Sequence, residues 1–127
     1  MTTDANGIPR VLIVDDDKVI AITLAHIFVA KGYEARSAYS AEEAIPLIDG
    51  WVPDLAVLDV CLPGMDGVDL AIRLKAMCAR CRVLLISGKP ETLDLVERAA
   101  RGGHALELIA KPVPPAQLLD RAAELLR

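Results

Sequence analysis

The sequence predicts an α/β domain, a five-stranded doubly wound parallel sheet assembled from five βα units. Short apolar runs alternate with longer amphipathic stretches along the chain. Most of the runs are continuously apolar, as strands covered on both faces of a parallel sheet must be. Four of them end in polar groups, at Asp15-Asp16, Asp59, Ser87 and Lys111. All four ends lie on the carboxyl side of the strands, where doubly wound sheets bind ligands.

The elements follow in order. Residues 10–14 form a first strand. Asp17 can N-cap a helix over 18–31, with Ile20, Leu24, Ile27 and Phe28 on one face and Gly32 as its stop. Residues 33–38 make a more polar second strand, suited to a sheet edge. Ser40-Ala41-Glu42-Glu43 is a capping box opening the second helix, and Pro46 inside that helix predicts a kink or a shortening. Pro53-Asp54 leads into a third strand over 55–59. A third helix spans 66 to about 77, with Leu70, Leu74 and Met77 inward. The fourth strand covers 82–86. Pro90 suits the first turn of a fourth helix that runs to Arg101 and ends at Gly102-Gly103. A fifth strand covers 106–110 and is expected to be buried on both faces. Pro114-Pro115 opens a last helix carrying Leu118, Leu119, Ala122, Leu125 and Leu126.

At 127 residues the chain fits one domain, read as a polar tail over 1–9 and a folded body over 10–127. Hydrophobic residues make up 54% and aromatics only 3%, so the core must be Val, Leu, Ile and Ala. A net charge of -4 gives no electrostatic footprint for nucleic acid or an acidic membrane. No apolar run approaches the roughly 18 residues of a membrane span, and residues 1–7 lack a signal-peptide pattern. A cytoplasmic protein is expected, monomeric or weakly dimeric. Cys61, Cys78 and Cys81 are no disulfide framework. Cys78-Ala79-Arg80-Cys81 lacks the second pair that structural zinc needs and lies between a helix and a strand, so its simpler reading is two loop thiols. His26 is expected at the surface, His104 in a loop, and Trp51 at the end of the second helix, away from the acids.

The strand ends carry the chemistry. For Asp15, Asp16 and Asp59 at ~4 Å and an effective dielectric near 20, each like-charge pair costs roughly 4 kcal/mol. Without a cation such a site holds raised pKa values. Magnesium, which takes oxygen ligands and shares itself with phosphate, relieves the repulsion. Asp59 is then a candidate nucleophile toward phosphorus. Lys111 can neutralise a phosphoryl oxygen and Ser87 can donate to another. Pro112 restricts Lys111 to an extended backbone at the strand end.

Together, Asp15-Asp16, Asp59 within Leu58-Asp59-Val60-Cys61-Leu62-Pro63-Gly64-Met65-Asp66-Gly67, Ser87-Gly88 and Lys111-Pro112 resemble the receiver domain of two-component response regulators. The resemblance covers about residues 10–127. It implies a flavodoxin-like fold with strand order 2-1-3-4-5. It implies that Asp59 accepts a phosphoryl group from a phosphohistidine on a sensor kinase or phosphotransfer protein, and that the domain catalyses its own phosphorylation and dephosphorylation. Asp16 and Asp59 would ligate Mg2+ directly, Asp15 through water, and Cys61 through its backbone carbonyl. Ser87 would be the switch hydroxyl and Lys111 the phosphate clamp, with the face of the fourth helix, fifth strand and fifth helix controlling a partner. The chain departs from the pattern at Leu108, where the family usually carries Tyr or Phe, and at His104, where it favours glycine. Pro46 is also unusual. The sequence stops about one helix past Lys111, and the expected output is a protein contact, a relay to another phosphotransfer protein, or a domain outside this sequence.

Two alternatives stand beside this. Asp15-Asp16-Asp17-Lys18-Val19 fits the signature of haloacid-dehalogenase-type phosphatases, with Asp15 as nucleophile and Asp17 as acid/base. That reading lacks an acidic pair after Lys111 and leaves Asp59 unexplained; for Asp17 the simpler role is a helix cap. The other alternative is an interaction module that works without phosphorylation.

Overall fold

A computed structural model describes residues 7–127. Of the polar tail expected over 1–9, residues 1–6 lie outside the described residues. The elements are β1 (Arg10–Val14), α1 (Lys18–Ala30), β2 (Glu34–Ala38), α2 (Ala41–Gly50), β3 (Leu55–Asp59), α3 (Gly67–Met77), β4 (Arg82–Ser87), α4 (Thr92–Arg101), β5 (Glu107–Ala110) and α5 (Pro115–Leu125). The strands form one sheet in the order β2-β1-β3-β4-β5, parallel throughout, with Ile13 beside Val57, Val57 beside Leu84, and Ile86 beside Ile109. The doubly wound (βα)5 architecture expected from the alternating pattern is the one formed.

Side-chain alternation along the strands splits the interior into two layers. Leu55 and Val57 of β3 face α1 and α5, meeting Ala21, Phe28, Leu118 and Ala122. Ala56 and Leu58 face the other way, toward Ala44, Leu70, Leu74 and Val96 of α2, α3 and α4. The central strands are therefore buried on both faces, which is why their sequences read as unbroken apolar runs.

Local capping sets where helices begin. The Asp17 carboxylate accepts from the Val19 and Ile20 amides. Ser40 Oγ accepts from the Glu43 amide at 3.1 Å, and Asp66 Oδ1 from the Asp69 amide at 2.9 Å, each satisfying a donor the first helical turn leaves unpaired.

Four expectations need correction. Pro46 does not shorten its helix: α2 continues through it to Gly50. Pro46 and Glu42 are both exposed, so the carbonyl that loses its amide partner lies on the solvent side. β5 is not covered on both faces: it is the edge strand, half-buried at Leu108 and Ile109 and exposed at Ala110. Met77, the last residue of α3, is 48% exposed; half-buried Cys78 and fully buried Cys81 pack there instead. Cys78 and Cys81 both lie in the loop between α3 and β4, as expected, but the Cys81 side chain turns into the core, and burial pushes its pKa from the usual 9.0 to about 12. α4 begins at Thr92 and not at Pro90. The Thr92 amide bonds the Lys89 carbonyl and the Leu93 amide the Pro90 carbonyl, a tight turn leading into the helix. The remaining minor residues lie as expected: His26 is exposed, His104 sits in an exposed loop, and Trp51 caps the end of α2. Trp51 is buried, with its indole N–H donating to Glu34 Oε1 at 2.7 Å.

Candidate phosphoacceptor site

The carboxyl ends of β1, β3, β4 and β5 converge. β1 delivers Asp15, fully buried, whose backbone N–H still follows the sheet and donates to the Ala38 carbonyl. Its Oδ1 accepts from the Asp17 amide at 2.9 Å. Its Oδ2 accepts from Lys111 Nζ at 2.9 Å. β3 delivers Asp59, 5% exposed. Asp59 Oδ1 accepts from the Cys61 amide at 3.2 Å, and Oδ2 accepts from Lys111 Nζ at 3.2 Å. One ammonium therefore bridges two buried carboxylates from strands that lie side by side. Asp16, the exposed member, brings a carboxylate oxygen within 4.8 Å of the other two.

The turn after Asp59 is built to let α3 approach. The Val60 carbonyl accepts from the Gly67 amide at 2.9 Å. A Cβ at residue 67 would overlap the Asp59 carbonyl oxygen, so only glycine fits there. Gly64 has φ 72°, a conformation that side chains other than glycine's adopt with strain. Glu42 Oε2 reaches across from α2 to accept from the Met65 amide at 3.1 Å. The turn thus fixes Asp59 from behind while its carboxylate faces the strand ends.

Lys111 is held by β5: its amide donates to the Ser87 carbonyl at 2.8 Å, and the Lys111–Pro112 peptide is cis. Burial works to lower its pKa, but the Asp15 hydrogen bond and charge, then those of Asp59, raise it on balance. Lys111 is a firm cation. Asp59 moves up from its usual 3.8, first because burial strips water from it and next because Asp15 repels it, with Lys111 and the Cys61 amide opposing. The acid repulsion expected from the sequence is therefore present, with Lys111 set against it, and burial is the larger reason the Asp59 pKa is raised.

Ser87 lies at the adjacent strand end and is buried, but its hydroxyl faces other partners. Oγ accepts from the Lys89 amide at 3.1 Å and from Thr92 Oγ1 at 2.8 Å. Sequence reasoning missed Thr92 because Pro90 drew the start of the helix two residues too early; a second hydroxyl five positions after Ser87 was the available signal. Cys61 is half-buried and offers its amide to Asp59. Leu108 pairs with Leu85 in the sheet and packs on the α2-α3-α4 layer, where it fills space without a polar contact to the acids. Asp17 is exposed and committed to capping α1, which leaves the phosphatase reading without its acid/base.

Three carboxylates within 4.8 Å of one another suit a hard divalent cation, and Asp59, whose pKa is raised first by burial and next by Asp15, holds its charge at a cost that a cation would lower. The residues present fit magnesium.

The description "Response regulator receiver domain" matches residues 11–123. The chain is 33% identical over 111 residues to sporulation initiation phosphotransferase F of Bacillus subtilis, covering 87% of this chain and 88% of that protein. It is 34% identical over 125 residues to the transcriptional regulatory protein AruR of Pseudomonas aeruginosa, covering 94% of this chain but only 50% of that one. This chain thus spans about half the length of that curated regulator. Among solved structures, a CheY-like receiver domain protein from Methanospirillum hungatei superposes with a TM-score of 0.86 at 30% identity, covering 94% of both chains. The chain belongs to the response regulator receiver domain family and is a phosphoacceptor signalling domain of two-component systems.

Proposed function

We propose that Asp59 is the phosphoacceptor, within a receiver unit spanning residues 10–127, and that its donor is a phosphohistidine on a sensor kinase or a histidine phosphotransfer protein. The observation that supports this most is the single ammonium of Lys111 shared between Asp15 and Asp59. An Asp59 carboxylate oxygen attacks phosphorus, the P–N bond to the donor imidazole breaks, and an acyl phosphate forms. Lys111 is already beside the attacking oxygen and neutralises the negative charge of the phosphoryl oxygens during transfer, while the P–N bonding pair leaves on the imidazole nitrogen. Ser87 supplies a hydroxyl proton to another phosphoryl oxygen. The Cys61 amide holds Asp59 Oδ1, so the oxygen that attacks is Oδ2, the one beside Lys111. Because the groups that neutralise charge belong to this chain, the domain promotes its own phosphorylation and, with water attacking phosphorus, its own dephosphorylation.

Magnesium would be held by Asp16 and Asp59 directly, by Asp15 through water and by the Cys61 carbonyl; when bound it supplies charge neutralisation at the phosphoryl oxygens. Phosphorylation adds roughly two negative charges. Ser87 and Lys111 follow them, and the face formed by α4, β5 and α5 shifts to control a protein partner or a further relay. With Leu108 at the position usually aromatic, that shift travels through backbone and helix. No helix among the described residues is long and apolar enough to cross a membrane, in keeping with work in the cytoplasm.

The test is intact mass after incubation with acetyl phosphate and magnesium, alongside Asp59→Asn. One added phosphoryl group, lost in the variant, is the expected result. A gain that survives Asp59→Asn, or no gain despite bound magnesium, would overturn the assignment of Asp59.

A further inference from the structure

The hydroxyl of Thr92 is buried and lies at the first residue of α4. It stands 2.8 Å from Ser87 Oγ and 2.7 Å from the Lys89 carbonyl. Ser87 Oγ is in turn 3.3 Å from that same carbonyl and accepts from the Lys89 amide at 3.1 Å. A serine hydroxyl has one proton and two acceptor positions. Here the proton is directed at Lys89, and both acceptor positions are taken, by the Lys89 amide and by Thr92. Among the described residues, Ser87 directs none of these bonds to Asp59 or Lys111.

We propose that Thr92 is a positioning residue that latches Ser87 in the resting state and ties its release to the first turn of α4. The inference rests on the acceptor reading of Asp59. To donate to a phosphoryl oxygen, Ser87 must turn its proton away from the Lys89 carbonyl and move Oγ from Thr92. Thr92 is not orphaned by this, because its own proton passes wholly to the Lys89 carbonyl it already touches. At rest the Lys89 carbonyl, with two lone pairs, is within reach of both hydroxyl protons, and when a phosphoryl oxygen becomes available Ser87 turns to it and leaves the carbonyl to Thr92. That exchange is local, buried and bistable, and it ends on the residue that opens α4. It offers a route into the helix that does not need an aromatic ring at position 108. Burial sharpens the exchange, since a hydroxyl left unpaired there is costly.

The test is the affinity of fluoroberyllate, a phosphoryl mimic on the Asp59 carboxylate, measured with magnesium present for the wild type, Thr92→Val, Thr92→Ser, Ser87→Ala and the Ser87→Ala/Thr92→Val double variant. Valine keeps the shape and removes the latch, so binding should tighten about fivefold, the worth of one net hydrogen bond. Thr92→Ser keeps the hydroxyl and should stay within about twofold of the wild type. In the Ser87→Ala background, Thr92→Val should have no effect, since nothing remains to be latched. A merely structural threonine would act equally in both backgrounds. Unchanged or weaker binding in Thr92→Val, or the same gain without Ser87, overturns the latch. Wild-type protein that fails to bind fluoroberyllate would overturn the acceptor reading itself and the latch with it, a failure visible before any variant is compared.

Discussion

Asp59→Asn should stabilise the protein when divalent cations are absent. Asp15 and Asp16 hold carboxylate oxygens within 4.8 Å of Asp59, and Lys111 Nζ lies 3.2 Å away. At an effective dielectric of about 20, buried Asp15 repels Asp59 by about 3.5 kcal/mol and Lys111 attracts it by about 5 kcal/mol. Asp16 faces bulk water and adds about 1 kcal/mol of repulsion. The charges nearly cancel, and what remains is the cost of taking the Asp59 carboxylate out of water. Asparagine keeps an oxygen for the Cys61 amide and removes that cost, for a gain of about 1–2 kcal/mol, or roughly 5 °C in melting temperature. The folded protein holds the Asp59 proton more tightly than the unfolded chain does, because its pKa is raised above 3.8. The wild type therefore loses stability as pH climbs from 3.8 through the raised value, and the variant does not. Urea melts in chelator should show the full gap at neutral pH and a closing gap as pH falls toward the carboxylate range. Magnesium at a hundredfold excess over its Kd should then add about 2.7 kcal/mol to the wild type and less to the variant. A variant less stable than the wild type in chelator at neutral pH would refute the balance drawn here. So would a gap that does not change with pH.

Lys111→Met removes the cation shared by Asp15 and Asp59 and should cost about 3 kcal/mol in urea unfolding, much of it recovered by magnesium; a loss under about 1 kcal/mol would mean water reaches the acids freely. Gly67→Ala places a methyl group on the Asp59 carbonyl oxygen and should cost about 3 kcal/mol while lowering phosphoryl acceptance; a neutral result would show that the turn after β3 can open at little cost. With its pKa near 12, Cys81 should be alkylated last among the three cysteines of the native protein under mildly alkaline conditions, as read by peptide mass. Labelling of Cys81 as fast as exposed thiol standards would contradict its place in the core.

What could be read from the sequence was what local physics decides. Asp17, Ser40 and Asp66 cap their helices through bonds that span two or three residues, so their roles need no tertiary knowledge. The apolar runs of β1, β3 and β4 announce strands buried on both faces, and the polar groups that end them mark the site. What stayed hidden depends on neighbours far along the chain. β5 has the apolar run of a strand covered on both faces, yet at the edge that the order 2-1-3-4-5 gives it the strand is only partly covered. Met77 has the spacing of a core residue, but the helix ends with it and Cys81 takes the interior position. The bridge from Lys111 to both Asp15 and Asp59 spans 96 and 52 positions; the residues were legible as candidates, the shared ammonium was not. Thr92 was hidden because a proline two residues earlier carries a stronger helix-start signal than a hydroxyl does.

The sheet also acts as a partition. Side chains of the α1-α5 layer and those of the α2-α3-α4 layer meet different faces of the same strands. A lineage can therefore repack one layer around a new recognition surface while the side chains of the other keep their neighbours. A domain divided this way can exchange one correspondent for another without renegotiating both layers at once.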